Sequence, residues 1–195
     1  MFRLVLGALV VVLSLGACSS GSTTLPEVSE APRNTASAIP TDAGEPSGPM
    51  YRATGLDLCA DAVLDPLDDL QLTVRSSDPM PPAGAPGSGC EFVLRAIGGG
   101  EARLQVEAVT PATVEDARSA FRAFSDVGSM TNDGPVSGLG EEAVGLTKTS
   151  QYMIVARTGN LVLTAWLAID GMPETTLAAK VRTILAAILA AVPKA

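Results

Sequence analysis

The sequence predicts an α+β domain, an antiparallel sheet of about five strands with helices packed on one face, preceded by a disordered tether. Three observations predict it. Runs of alternating apolar and polar residues are joined by short glycine-containing connections, as in antiparallel hairpins. Two other stretches place apolar residues at helical spacing. The region before them is rich in Ser, Thr, Pro and Gly and has no apolar period.

The chain opens Met1-Phe2-Arg3 and runs apolar from Leu4 to Leu15, interrupted by Gly7 and Ser14. One positive charge, a short apolar run and small residues are the layout of a secretory signal peptide, expected over 1–17. The run is shorter than the about 20 residues that a helix needs to span a bilayer core. Leu15-Gly16-Ala17-Cys18 then resembles the lipobox of bacterial lipoproteins. That resemblance implies cleavage between Ala17 and Cys18, a diacylglyceryl group on the Cys18 thiol and an N-acyl chain on the new terminus. Two or more acyl chains anchor stably where one is marginal, at about 0.8 kcal/mol per buried methylene. The expected location is the extracytoplasmic face of the cell membrane; an ordinary secreted protein in which Cys18 is incidental is the alternative.

Cysteine parity agrees with the anchor. The chain has three cysteines, and lipidation of Cys18 leaves Cys59 and Cys90 as a pair. Outside the cytoplasm a disulfide between them persists. It would close a loop of about 30 residues and contribute roughly 3–4 kcal/mol in the chain-entropy model. Two cysteines without any histidine make a poor metal site, so no metal is expected.

Charge excludes several functions. Without Arg3 the chain carries 12 basic and 21 acidic residues, a net −9. Nucleic acid is an unfitting partner, because neutralising phosphates takes a basic face. The absence of histidine removes Ser-His-Asp and Cys-His catalysis together with His-ligated zinc. A Ser-Lys arrangement would have to use Lys148, Lys180 or Lys194, and Lys148-Thr149-Ser150 reads as a solvated turn. No cofactor is expected beyond the covalent lipid on Cys18.

The tether, expected over 18–51, repeats Pro26, Pro32, Pro40, Pro46 and Pro49. Such a segment cannot bury enough apolar surface to offset its ordering entropy. It would hold a single domain, 52–195, on the order of 30 Å from the membrane.

That domain begins with a short helix over 56–64, capped by Asp57, with Leu58, Ala62 and Val63 inward and Pro66 ending it. Leu70, Leu72 and Val74 alternate as a strand. Residues 76–89 hold four prolines and three glycines and read as a long loop, either a mobile flap or slack. Strands over 90–97 and 101–109 join through Gly98-Gly99-Gly100, with Arg103, Gln105 and Glu107 on a wet face. Thr113 with Asp116 starts a helix whose Val114, Ala117, Phe121 and Phe124 share one side. A second hairpin pairs 151–156 with 161–169 across Arg157-Thr158-Gly159-Asn160. Its second run is apolar on both faces and so belongs centrally in the sheet. Pro173–Val192 closes the chain as a helix with Leu177, Val181, Ile184, Leu185, Ile188 and Val192 in register.

Between two of these elements lies Gly138-Leu139-Gly140-Glu141-Glu142-Ala143. Two glycines around a leucine suit a tight bend where a strand begins, with the acidic pair in solvent. As a phosphate cradle it lacks a lysine and a following helix. This motif, a cysteine in the first helix, a second opening a strand, and a terminal helix after an apolar strand resemble a family of actinobacterial lipoproteins whose domain has no assigned function. The same features are similar to the extracellular sensor domains of some mycobacterial serine/threonine kinases. The resemblance covers most of 56–192 and implies an anchored envelope module with no catalytic residues to carry over. Phe92 stands where the commoner pattern has Trp.

Three functions compete on these features. The first is a non-catalytic binding or sensor-like module that meets an envelope protein or a small ligand, through the Arg103/Gln105/Glu107 face or the proline loop. The second is a carrier for a lipid or other apolar molecule, suggested by Met130, Met153, Met172 and the apolar terminal helix. The third, an enzyme, would need Asp68/Asp69 or Glu141/Glu142 for acid–base chemistry. Neighbours on a strand point to opposite faces, so neither pair would converge on one substrate.

Overall fold

A computed structural model describes residues 48–195 apart from residue 98. The expected leader, Cys18 and the tether up to residue 47 lie outside the described residues. Seven strands and two α-helices follow in the order β1 (Thr73–Met80), β2 (Gly87–Arg95), β3 (Glu101–Val109), α1 (Val114–Ser125), β4 (Thr131–Pro135), β5 (Glu142–Lys148), β6 (Gln151–Thr158), β7 (Leu161–Ile169) and α2 (Glu174–Ala191). The strands form one sheet in the order β1-β2-β3-β7-β6-β5-β4. Every neighbouring pair is antiparallel. The α+β class and the antiparallel sheet are as expected, and β7 is the central strand. Seven strands, not about five, correct the count.

Of the two extra strands, β5 starts where the bend motif implied a strand, and β4 had little to announce it. β4 reads Thr-Asn-Asp-Gly-Pro and is an edge whose pairing is imposed by β5, with a register shift between Asn132 and Gly134. β5 carries Gly145 in its middle. That glycine makes room for Tyr152, since a Cβ there would overlap the Tyr152 hydroxyl. The hydroxyl donates to Asp133 at 2.6 Å, fastening β6 to the segment of the edge strand. Burial, then the Asp133 carboxylate, push Tyr152 far above the ordinary phenol range. Gly145→Ala is therefore expected to cost about 1–3 kcal/mol through overpacking. Denaturant midpoints of the two proteins measure this, and a shift worth under about 0.5 kcal/mol would show that Tyr152 swings aside freely.

Helices pack on both faces, which corrects the one-face expectation. On β6, Ile154 and Ala156 join the core beneath α2, while Met153 and Val155 join the cluster beneath α1. Successive strand residues point to opposite faces, so the two helices lie on opposite sides. The main core sets Phe92, Leu104, Ile154 and Leu167 against Leu177, Val181, Ile184 and Leu185. The smaller one sets Val109, Leu146, Val155 and Val162 against Ala117, Phe121 and Phe124. The wet face of β3 misled the one-face reading: Val109 on that same face is buried, and only part of the face is polar. A central strand apolar on both sides, as β7 is, needs cover on both.

The first helix is replaced by two 3-10 helices, Asp61–Val63 and Asp65–Leu70. Asp57 accepts a bond from the Cys59 N–H (3.1 Å) in a local turn. Pro66 sits in the first turn of the second 3-10 helix instead of ending a helix, because its missing N–H costs nothing there. Leu58 is buried as expected; Ala62 is exposed. The long loop shrinks too: β1 runs to Met80 and β2 starts at Gly87. β1 is an edge strand, and a bulge at Arg75 with Pro79 blunts its free side.

Cys59 and Cys90 are joined, with Cα atoms 5.3 Å apart, tying the 3-10 region to β2. Thr113 caps α1 by accepting from the Asp116 N–H (3.0 Å), while its hydroxyl bonds the Asp116 carboxylate (2.7 Å). Residues 48–51, placed with the tether on sequence grounds, join the domain as a strap. Asn160 receives it: Tyr51 N–H donates to Oδ1 (2.6 Å) and Nδ2 donates to the Tyr51 and Pro111 carbonyls. Tyr51 also bridges to Lys194. No helix among the described residues is long and apolar enough to cross a membrane.

Candidate functional site

α1 covers only part of its face of the sheet. A helix of 12 residues is about 18 Å long, and a nine-residue strand such as β7 spans about 30 Å. Beyond its last turn the sheet is open. Register places Glu91, Gln105, Trp166 and Met153 in one row across β2, β3, β7 and β6. Glu107 and Thr164 are paired in the next row.

Gln105, Glu107, Met153, Thr164 and Trp166 of these rows floor a cleft of about 290 Å³. Phe124 at the end of α1 and the segment holding Val127, Ser129 and Met130 wall one side, and Met80 contributes from β1. Trp166, the chain's one tryptophan, is half-buried there. A shallower apolar groove of about 600 Å³ adjoins it through Phe124, between residues 83–86 and one flank of α1.

The cleft's polar groups are unequal. Gln105 donates Nε2 at 3.1 Å to Glu91, which stands at the end of the row outside the cleft lining and faces Arg103 at 3.7 Å. The carboxylate of Glu107 accepts the Ala83 N–H, and among the described residues no Lys or Arg pairs with it. Burial pushes its carboxyl above the ordinary value.

The sequence-predicted features therefore sort into those brought together here and those that are not. Gln105 and Glu107 of the wet strand lie in the cleft beside the end of the proline loop; Arg103 sits outside it on Glu91 and Glu101. Met130 and Met153 meet there, but Met172 packs on the opposite side of the sheet. Phe124, read as plain core, and Met80, read as loop, are cleft walls. Trp166 was placed centrally without a role; its alternation with Ala165 and Leu167 was the available signal.

The bend motif does something the sequence did not suggest. Gly138 and Gly140 take φ of +79° and +70°, turning the chain into β5 so that Glu141 and Glu142 both reach Arg157. Glu141 Oε2 receives Arg157 Nη2 at 2.7 Å, and Glu142 receives Nε. Arg157 Nη1 donates to the Gly159 carbonyl at 2.9 Å, and the Gly159 N–H returns to Glu141 at 3.0 Å. Arg157 is only 4% exposed. The acidic pair keeps the expected contact with solvent, at 41% exposure each, but its members do not point apart: Glu141 precedes the strand, so strand alternation does not separate them. Of Asp68 and Asp69, the second pairs with Lys180. The expected turn is Thr149-Ser150, with Lys148 as the exposed last residue of β5.

No protein-family model matches the chain, and no curated protein matches it.

Proposed function

We propose that the protein is a membrane-anchored extracytoplasmic lipoprotein whose domain is a non-catalytic binding module of the cell envelope, with the α1-side cleft as its ligand site. The observation that carries this reading is the cleft: aromatic and thioether side chains around a few polar groups are the composition of small-molecule sites. The anchor rests on the lipobox resemblance, and the joining of Cys59 and Cys90 supports it, because Cys18 is the remaining cysteine. The cleft is open to solvent, and a cavity described on the α2 side is about 80 Å³. Both favour recognition at a surface over enclosure of a lipid. Glu141, Glu142 and Asp69 are committed to ion pairs, which counts against their use as acid–base catalysts.

Two measurements test the reading. In the exporting cell, Cys18→Ser is expected to move the full chain from the membrane pellet to the soluble fraction; retention in the pellet would remove the anchor. In the cleft, a neutral apolar dye, N-phenyl-1-naphthylamine, is expected to accept energy from Trp166. Thr164→Tyr, which fills the floor, should abolish that transfer. Absence of transfer, or transfer unchanged in the filled variant, would remove the site.

A further inference from the structure

We infer that the cleft selects an organic cation, an ammonium group carried on an apolar body. This deepens the binding reading above and rests on it. The argument begins with Glu107. Its side chain sits in the floor of a cavity, partly withdrawn from water, with one backbone N–H donated to it and no cationic partner among the described residues. A carboxylate in that position gives up hydration that a single neutral donor does not replace. Burial accordingly raises its proton affinity. The neighbouring carboxylate differs in this respect, since Glu91 already has Arg103 and Gln105.

The walls repeat the preference. Trp166 presents the aromatic side chain that attracts cations best. Met80, Met130 and Met153 add polarizable thioethers that adapt to an irregular apolar body. No lysine or arginine lines the cavity, so an anion would meet a carboxylate with nothing to balance it. The net charge of −8 for the whole chain draws cations toward the surface as well. Charge complementarity and cavity shape thus name one occupant: a positive nitrogen near Glu107 with its apolar part over Trp166 and the methionines.

Three probes of matched size separate charge from apolar burial: phenethylammonium, neutral 2-phenylethanol and anionic phenylacetate. Each is titrated into the full chain at neutral pH, reading Trp166 emission and displacement of N-phenyl-1-naphthylamine. The ammonium is expected to bind about tenfold more tightly than the alcohol, the preference of a charge-assisted contact over a neutral one. Phenylacetate should bind more weakly than either. Glu107→Gln keeps an oxygen for the Ala83 N–H, so the fold is retained, yet it should erase the preference while leaving 2-phenylethanol unchanged. Glu91→Gln should leave the preference intact. Equal binding of ammonium and alcohol, or a preference that survives Glu107→Gln, overturns the cation inference. If the dye still binds in that case, the cleft stands as a site; if neither dye nor probes bind, the site falls too. Should Glu107→Gln lose its native melting transition, Trp166→Leu read by dye displacement replaces it, with loss of ammonium preference expected and retention overturning the inference.

Discussion

Arg157→Met is expected to destabilise the domain by about 3 kcal/mol, the lower end of what removing one partner of a buried ion pair costs. The lower end applies because Glu141 and Glu142 remain 41% exposed and recover hydration when the guanidinium leaves. What they lose is geometric. Arg157 holds the bend before β5, the Gly159 carbonyl and both carboxylates in one network, and Gly159 lies against Pro49 of the strap. For a domain of this size the change corresponds to about 6–12 °C in Tm. Thermal melts of the two proteins measure it; a loss below about 1 kcal/mol would mean that methionine packing replaces the network. The same network carries an acid dependence. The Gly159 N–H first, then Arg157 and more distantly Arg118, hold the Glu141 carboxyl below its ordinary 4.5. A depressed folded value stabilises fully above the unfolded value and loses that contribution as pH falls through the folded one. Stability should therefore decline on acidification below about pH 4.5, and Glu141→Gln should decline less steeply over the same window.

Loss of the Cys59–Cys90 bridge, by replacing both residues with Ala, is expected to cost about 3–4 kcal/mol from the closed loop alone. Truncating Cys90 adds a packing loss, because its side chain is fully buried in the main core. The bridge does more than close a loop. It fastens the 3-10 region to β2, and that region otherwise reaches α2 through Lys180, which bonds Asp69 and the Pro66 carbonyl. Its helices are short and contribute one buried residue, Leu67. Guanidinium unfolding is expected to show a lower midpoint and a larger m-value, since an uncrosslinked chain exposes more surface when unfolded. A midpoint unchanged within error would mean that the 3-10 segment is held by packing alone.

The fold was legible wherever an element's own residues stated its surroundings. α2 buries Leu177, Val181, Ile184, Leu185 and Ile188, the residues its helical spacing selects. β7 is apolar on both sides and central, and Thr113 caps α1 as its spacing to Asp116 implied. Elements defined by their neighbours were less legible. β4 has Thr131 as its one strand-forming residue, and it exists because β5 offers a free edge. The 3-10 helices stand where a regular helix was expected, and Pro66 lies in the first turn of the second, where its missing N–H breaks any helix running through from upstream.

The candidate site shows the same division. Gln105 and Glu107 were recognisable as a wet strip on a strand, and Met130 and Met153 as unusual apolar residues. That they meet required the crossover of α1 from β3 to the far edge of the sheet, which sets its last turn beside Trp166.

Composition and spacing by themselves determined the two α-helices, the hairpin strands β2, β3, β6 and β7, the central strand, the cysteine pair and the expectation of a lipid-anchored chain without histidine chemistry. These follow from local periodicity and from counting, which need no knowledge of distant contacts. Tertiary structure alone decided which helix covers which face, that Glu141 and Glu142 close on Arg157, and that a carboxylate without a cationic partner among the described residues shares a cleft with a tryptophan. The physical reason is that side-chain direction at a bend, and the area a short helix leaves uncovered, depend on long-range closure. No window of neighbouring residues contains that information.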